Sequence, residues 1–135
     1  MSTYILRGGT AVQKFSQTVA YNEFTDGLGT SGTFVITSGT IPAGATFLFA
    51  ALTAVTGFAG DTSALLTVGD GTDVDRYNTG TIDVFSTVAT GVALGAPSGV
   101  QYHAAEKSIT LTVTAATDFT AVSAGSLTLS FYYLI

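Results

Sequence analysis

The stretch Ser108-Ile109-Thr110-Leu111-Thr112-Val113-Thr114 alternates apolar and hydroxyl side chains along its whole length. Successive side chains of a β-strand point to opposite faces, so the apolar residues share one face and the Ser and Thr residues share the other. This pattern is typical of an antiparallel strand with one face in a core and one in water. The same period recurs in residues 126–135, where one face carries Leu127, Leu129, Phe131, Tyr133 and Ile135.

Six further strands are predicted, at residues 14–21, 33–37, 46–55, 63–68, 81–88 and 100–104. Turns rich in Gly, Pro and Asp separate them, and no amphipathic helical pattern occurs. The chain is therefore predicted to be an all-β protein, an antiparallel β-sandwich of about eight short strands with a jelly-roll-like fold. An immunoglobulin-like strand order fits the same pattern equally well.

The segment 46–55 is apolar on both faces of a regular strand. Phe47 and Phe49 would share one face, and Leu48 and Leu52 the other. Strands of this kind are typically covered on both sides. We therefore expect residues 46–55 to form a central strand. The whole chain, residues 1–135, is predicted to be a single domain, in which residues 1–13 form an extended N-terminal arm.

The composition excludes several classes of site. Only 10% of the 135 residues are charged, against about 25% in an average soluble domain. Cys is absent and there is one His, which excludes disulfides and a multi-His metal centre within one chain. Four basic residues against nine acidic ones make nucleic acid an unexpected partner. The apolar segment 41–59 is broken by Pro and Gly and lacks basic flanks, so no membrane association is predicted.

Catalytic motifs are equally sparse. His103 is the one candidate imidazole base, and no Ser lies in a Gly-x-Ser-x-Gly elbow. Residues 27–32 match Gly-x-Gly-x-x-Gly, but a predicted strand follows where a dinucleotide site requires a helix. That match is interpreted as chance composition in a chain with 16 Gly. The chain is not expected to be an enzyme or to need a cofactor.

Acidic residues concentrate in Gly69-Asp70-Gly71-Thr72-Asp73-Val74-Asp75-Arg76. Asp70, Asp73 and Asp75 could supply oxygen ligands to calcium, although their spacing is not that of an EF-hand. The alternative is a tight turn in which Asp side chains accept backbone N–H groups and Arg76 offsets part of the charge. The turn is the favoured interpretation.

The C-terminal strand becomes apolar on both faces near its end, at Tyr132 and Leu134. The uncharged segment 89–99 also lacks the polarity expected of a solvated loop. The strand end is expected to be buried against a partner or a second sheet, and segment 89–99 against its own domain or a neighbouring subunit. The N-terminal segment 2–10 is expected to reach a neighbour as an arm. The predicted interface residues are Tyr132, Tyr133, Leu134, Ile135, Val92, Leu94, Tyr4, Ile5 and Leu6.

The stretch Leu66-Thr67-Val68-Gly69-Asp70-Gly71-Thr72-Asp73-Val74-Asp75-Arg76-Tyr77 is similar to a strand-plus-turn pattern in small virion proteins of tailed bacteriophages. In style, residues 45–135 resemble the capsid decoration, or cement, proteins. That resemblance implies a β-sandwich or jelly roll, frequent homotrimers, and binding to the outer shell of the major capsid protein. It carries over no catalytic residue.

The predicted function is therefore that of a structural virion protein, a capsid decoration protein on the particle surface, assembled in the host cytoplasm. Its expected partners are the major capsid protein and its own copies, as a homotrimer. A tail, head–tail connector or fibre component remains an alternative. A carbohydrate-binding β-module is a second alternative, for which an aromatic platform would have to come from Tyr21, Tyr77 and Tyr102.

Overall fold

A computed structural model describes residues 11–85, 92–93, 97 and 101–135. Within them the chain forms strands and two short 3-10 turns, Tyr21–Glu23 and Phe119–Ala121. No helix in the described part of the chain is long and apolar enough to cross a membrane. The strands are β1 (Val12–Ala20), β2 (Thr25–Asp26), β3 (Ser31–Val35), β4 (Ala45–Ala59), β5 (Ala64–Gly69), β6 (Ile82–Asp83), β7 (Val92–Ala93), β8 (Tyr102–His103), β9 (Thr110–Ala115) and β10 (Ala124–Leu134).

The strands form two antiparallel sheets. The first sheet has the order β1-β10-β4-β7, and β8 also pairs with β4. The second sheet has the order β2-β3-β9-β5-β6. The chain passes repeatedly from one sheet to the other, so strands that are neighbours in a sheet are mostly distant in sequence. The predicted all-β sandwich is confirmed.

The inner faces of both sheets contribute to one hydrophobic core. Ile109, Leu111 and Val113 are fully buried, as their alternation with Thr predicts. On β10 the inward positions Leu127, Leu129 and Phe131 are also buried. Burial of one such side chain stabilises the fold by roughly 1.5–3 kcal/mol, so these two strands provide a large part of the stability.

Strand β4 differs from the prediction, which was a short strand covered on both faces. It is 15 residues long, and its pairing with β10 shifts register three times. At each shift β4 carries one extra residue, as in a β-bulge, and each extra residue reverses which side chains face the core. Phe47 and Leu52 are therefore both buried, although a regular strand would place them on opposite faces. Phe49, predicted to share a face with Phe47, is instead 39% exposed.

Other strand boundaries also differ from the prediction. Strand β1 begins at Val12, so residues 12 and 13 of the predicted arm belong to a paired strand, and residues 1–10 lie outside the described residues. The segment 89–99, predicted to be irregular, contains β7, which pairs with β4. Of the predicted strand 81–88 the structure shows the two residues of β6, and residues 86–88 lie outside the described part. These elements are very short, and alternation over two residues is not detectable in a sequence.

The turn between β4 and β5 is tied to the loop before β10 through Asp61. One carboxylate oxygen accepts hydrogen bonds from the N–H and hydroxyl of Thr117, at 2.9 and 3.0 Å, and from the N–H of Asp118 at 3.4 Å. The other oxygen accepts the N–H of Thr62 at 2.7 Å. The bond from the Thr117 N–H is the largest cause that lowers the pKa of Asp61 to about 2, from an ordinary value of 3.8.

We expect Asp61 to make the protein acid-sensitive in a defined range. Because its pKa is lower in the folded chain than in the unfolded chain, the charged carboxylate stabilises the fold above about pH 4, and that contribution is lost as pH falls towards 2. The measurement is the urea midpoint of wild type and Asp61→Asn between pH 2 and 7. Wild type should be more stable at neutral pH, and the difference should shrink below pH 4. A constant difference over the whole range would contradict the assignment.

Candidate functional site

The acidic segment after β5 forms a hydrogen-bonded turn. The Asp70 carboxylate accepts the N–H groups of Thr72 at 3.0 Å and Asp73 at 2.9 Å, and it also pairs with Arg76. The Asp73 carboxylate in turn accepts the N–H of Asp75 at 3.3 Å. The Asp side chains thus satisfy backbone donors within the turn, as expected from the favoured interpretation.

Electrostatics at Asp70 follow from these contacts. Burial of the carboxyl would raise its pKa, but the N–H groups of Asp73 and Thr72 and the Arg76 guanidinium outweigh burial and hold the pKa below its ordinary value. Each of the calcium candidates Asp70, Asp73 and Asp75 thus accepts a hydrogen bond from a nearby backbone N–H group, which for Asp75 is that of Gly80 at 3.3 Å. No cluster of three acidic or His side chains that could hold a metal occurs among the described residues. The geometry offers no support for a calcium site here.

Tyr77 follows this turn and lies in the core. Its N–H donates to the Val68 carbonyl at 2.9 Å, its ring lies 4.5 Å from that of Phe47, and the side chain is fully buried. Its hydroxyl lies 3.1 Å from Nε2 of His103, which is also buried. Burial raises the pKa of Tyr77 and lowers the pKa of His103, so both groups are held in their neutral forms.

This contact gives the candidate base His103 a structural position in the interior, on β8 and beside Tyr77. The other two aromatic candidates do not join Tyr77 in a platform for carbohydrate. Tyr77 is a core residue, Tyr21 is half-buried in a 3-10 turn, and Tyr102 is 56% exposed on β8. These three Tyr residues therefore form no common surface. β-strand alternation does not reveal this, because it does not report how a residue in a turn folds back onto the sheets.

The glycine-rich segment 27–32 lies between β2 and β3. A strand follows it, as predicted, so the segment is not a dinucleotide loop. Leu28 at its tip has a left-handed backbone (φ 65°) and is almost fully exposed. Its N–H donates to the Asp26 carboxylate at 3.0 Å, which holds this loop in shape.

A group of apolar side chains lies on the outer face of the first sheet. Directly paired residues of an antiparallel sheet project to the same face. One row runs across four strands, from Val12 through Leu134 and Thr46 to Tyr102. The next row runs from Lys14 through Tyr132 to Phe49. We call the six residues of these rows other than Thr46 the outer patch: Val12, Lys14, Phe49, Tyr102, Tyr132 and Leu134.

The side chains of the outer patch are ordered by one another. The rings of Phe49 and Tyr132 are stacked with centroids 4.5 Å apart, and the Lys14 ammonium lies 5.8 Å from the Tyr132 ring centroid. Val12 is 60% exposed and Tyr102 is 56% exposed. The patch is therefore a mainly apolar surface in contact with water, and Lys14 is its single cation.

The predicted interface residues fall into three groups. Tyr132 and Leu134 belong to the outer patch and are half-buried. Tyr133 lies on the face of Leu129 and Phe131, as its alternation predicts, and it packs towards the core with its ring 6.1 Å from that of Phe15. Ile135 is 43% exposed at the end of the chain. The backbone of Val92 lies in β7, whereas Leu94, Tyr4, Ile5 and Leu6 lie outside the described residues.

Sequence reasoning missed Val12, Phe49 and Tyr102 as outward-facing partners of Tyr132. Phe49 was assigned to the face of Phe47 because the bulge between them is invisible in the sequence. Tyr102 lies in a two-residue strand, too short for a pattern. The end of β10, apolar on both faces, was the one detectable indication of this surface.

Neither a protein-family model nor a curated protein matches this sequence. Among solved structures, the chain is similar to one chain of the capsid asymmetric unit of cyanophage Pam1. The TM-score is 0.54 and the sequence identity is 18%, and the alignment covers 93% of this chain and 86% of that chain. At this identity the likeness shows a shared fold over nearly the whole length of both chains.

Proposed function

We propose that this chain is a structural virion protein of a bacteriophage, and more specifically a decoration protein that binds the outer surface of the shell formed by the major capsid protein. The observation that carries the proposal is the fold likeness, over 93% of this chain, to a chain found in a phage capsid. The resemblance of residues 66–77 to decoration proteins agrees with it. The protein would be assembled with the particle in the host cytoplasm, as a homotrimer.

The strand pairing supports a jelly-roll fold for this protein. Strand β1 pairs with β10, β3 with β9, β4 with β7, and β5 with β6. Strands from the two ends of the chain thus pair successively inwards, which is the order produced when one long hairpin is wrapped into two sheets. Jelly rolls of this kind are frequent in viral capsid proteins.

The chemistry of the surface also supports a structural role. A decoration protein works by burying apolar surface against a shell, and this requires no titratable group. The outer patch provides such a surface, and Tyr77 and His103 are engaged with each other in the interior. The proposal therefore assigns the chain no catalytic activity, metal or cofactor.

The test is the copy number of the chain in purified particles, measured by quantitative mass spectrometry against the major capsid protein. We expect a ratio of about one to one, because a decoration protein occupies sites across the whole capsid lattice. A few copies per particle would overturn the decoration role in favour of a tail, connector or fibre component. Absence from particles would overturn the virion role. Saturable glycan binding would then favour a carbohydrate-binding module, to which the exposed ring of Tyr102 would contribute.

A further inference from the structure

We infer that the outer patch of the first sheet is the face with which this protein docks on a shell subunit, and that the partner presents an apolar surface with a carboxylate opposite Lys14. This inference rests on the proposed function, and it names the contact face and the chemistry of the partner.

The first argument is the contrast between the two outer faces of the sandwich. The central row on the second sheet consists of Thr33, Thr112 and Thr67, which are directly paired. Hydroxyl side chains of this kind are compatible with water. The corresponding rows on the first sheet carry the apolar residues of the outer patch, with Leu134 between Val12 and Thr46 and with Tyr132 beside Phe49. Exposed contiguous apolar surface on a protein marks an interaction site.

The second argument is the distribution of charge. The nine acidic residues of the chain all lie outside the five strands of the first sheet, although the net charge is −5. The one charged residue within these strands is Lys14. The strands of this sheet therefore contribute no carboxylate to a contact made with their outer face. The depletion of charge matches the composition of the buried centre of protein interfaces.

The third argument distinguishes a shell subunit from a second copy of this chain. Burying an ammonium without a partner is costly. If two copies joined through their outer patches, both Lys14 side chains would be buried without a carboxylate from either first sheet. A partner with its own acidic residue at that point removes the cost. The Lys14 ammonium lies over the Tyr132 ring and is exposed at the surface, so it is accessible to a carboxylate of the partner.

The test measures binding of purified protein to isolated particles or shells that lack it. The patch variant combines Val12→Ser and Tyr102→Ser, two exposed positions on β1 and β8 whose replacement leaves the core intact. The matched control combines Val35→Ser and Leu65→Ser, which removes exposed apolar side chains from the second sheet. We expect the patch variant to bind at least about tenfold more weakly and the control to bind like wild type.

Lys14→Ala provides an independent measurement, because it leaves the apolar surface in place. We expect binding about three- to tenfold weaker and a smaller dependence on salt than in wild type, since one ion pair is lost. Phe49→Ser is a second patch variant in case the first one alters folding, which thermal denaturation of each variant will reveal.

The outcomes separate the two proposals. If wild type fails to bind shells, the proposed function is overturned. If wild type, control and patch variant bind equally, the proposed function stands and the docking face is wrong. If the patch variant binds shells normally but changes the sedimentation coefficient of the free protein, the outer patch joins copies of this chain, and the assignment to a shell subunit is overturned.

Discussion

The Gly69→Ala variant is expected to lose about 3 kcal/mol of its free energy of unfolding or to fail to fold. Gly69 ends β5, and the turn that follows folds back against it. A Cβ atom at this position would lie well inside contact distance of the Asp73 carbonyl oxygen and of the Val74 backbone. These atoms are backbone atoms, so no side-chain rotation can relieve the overlap.

The Asp73 carbonyl is also held by its own hydrogen bonds, from the N–H groups of Asp70 at 3.1 Å and Arg76 at 3.4 Å. Moving it away from the added methyl group would break the turn that places Tyr77 in the core. The urea midpoint measures this loss. Gly29→Ala is the matched control, because no heavy atom lies within 4 Å of its added Cβ. Its urea midpoint should stay within a few tenths of a molar unit of the wild-type midpoint. A Gly69→Ala protein as stable as wild type would disprove the close approach of the turn to β5.

Phe47→Ala is expected to cost about 3–5 kcal/mol, whereas Phe49→Ala should cost less than about 1.5 kcal/mol. The two residues are of the same type and lie two positions apart on β4. Phe47 is fully buried against Tyr77, so its removal leaves a cavity in the core. Phe49 is 39% exposed and stacks on Tyr132 at the surface, so water fills the space that it leaves.

This comparison tests the register shift between the two residues. In a strand without a bulge both rings would project to the same face, and the two variants would lose similar amounts of stability. Chemical denaturation of both variants under the same conditions provides the measurement. Equal losses would show that β4 is regular at Leu48 and that the outer patch does not contain Phe49.

Strands β9 and β10 were predictable because their pattern is local. Thr110–Ala115 alternates throughout, Ala124–Leu134 alternates from Ser126 to Phe131, and the apolar residues of both stretches are buried as expected. The acidic turn was predictable for the same reason. Its Asp side chains accept hydrogen bonds from backbone N–H groups a few positions away, and its Gly residues permit the tight backbone. No distant contact is therefore needed to specify the turn.

The bulges of β4, and so the faces to which its side chains project, were not predictable from the residues of β4. Its bulges exist because β10 imposes a register that β4 exceeds by one residue at three places. The apolar pattern of residues 46–55 is the same whether a second layer covers the strand or a bulge reverses it. Only the partner strand distinguishes these cases.

The sequence by itself determined the class of this protein: an all-β chain with low charge, no Cys, and at least two strands with one apolar face each. These properties depend on composition and on side-chain alternation, which the covalent chain specifies directly. The tertiary structure alone decided that Val12, Phe49, Tyr102 and Tyr132 share one surface. Their strands are brought together by hydrogen bonding between segments as much as 122 residues apart (Val12 against Leu134), and such pairing depends on the whole chain.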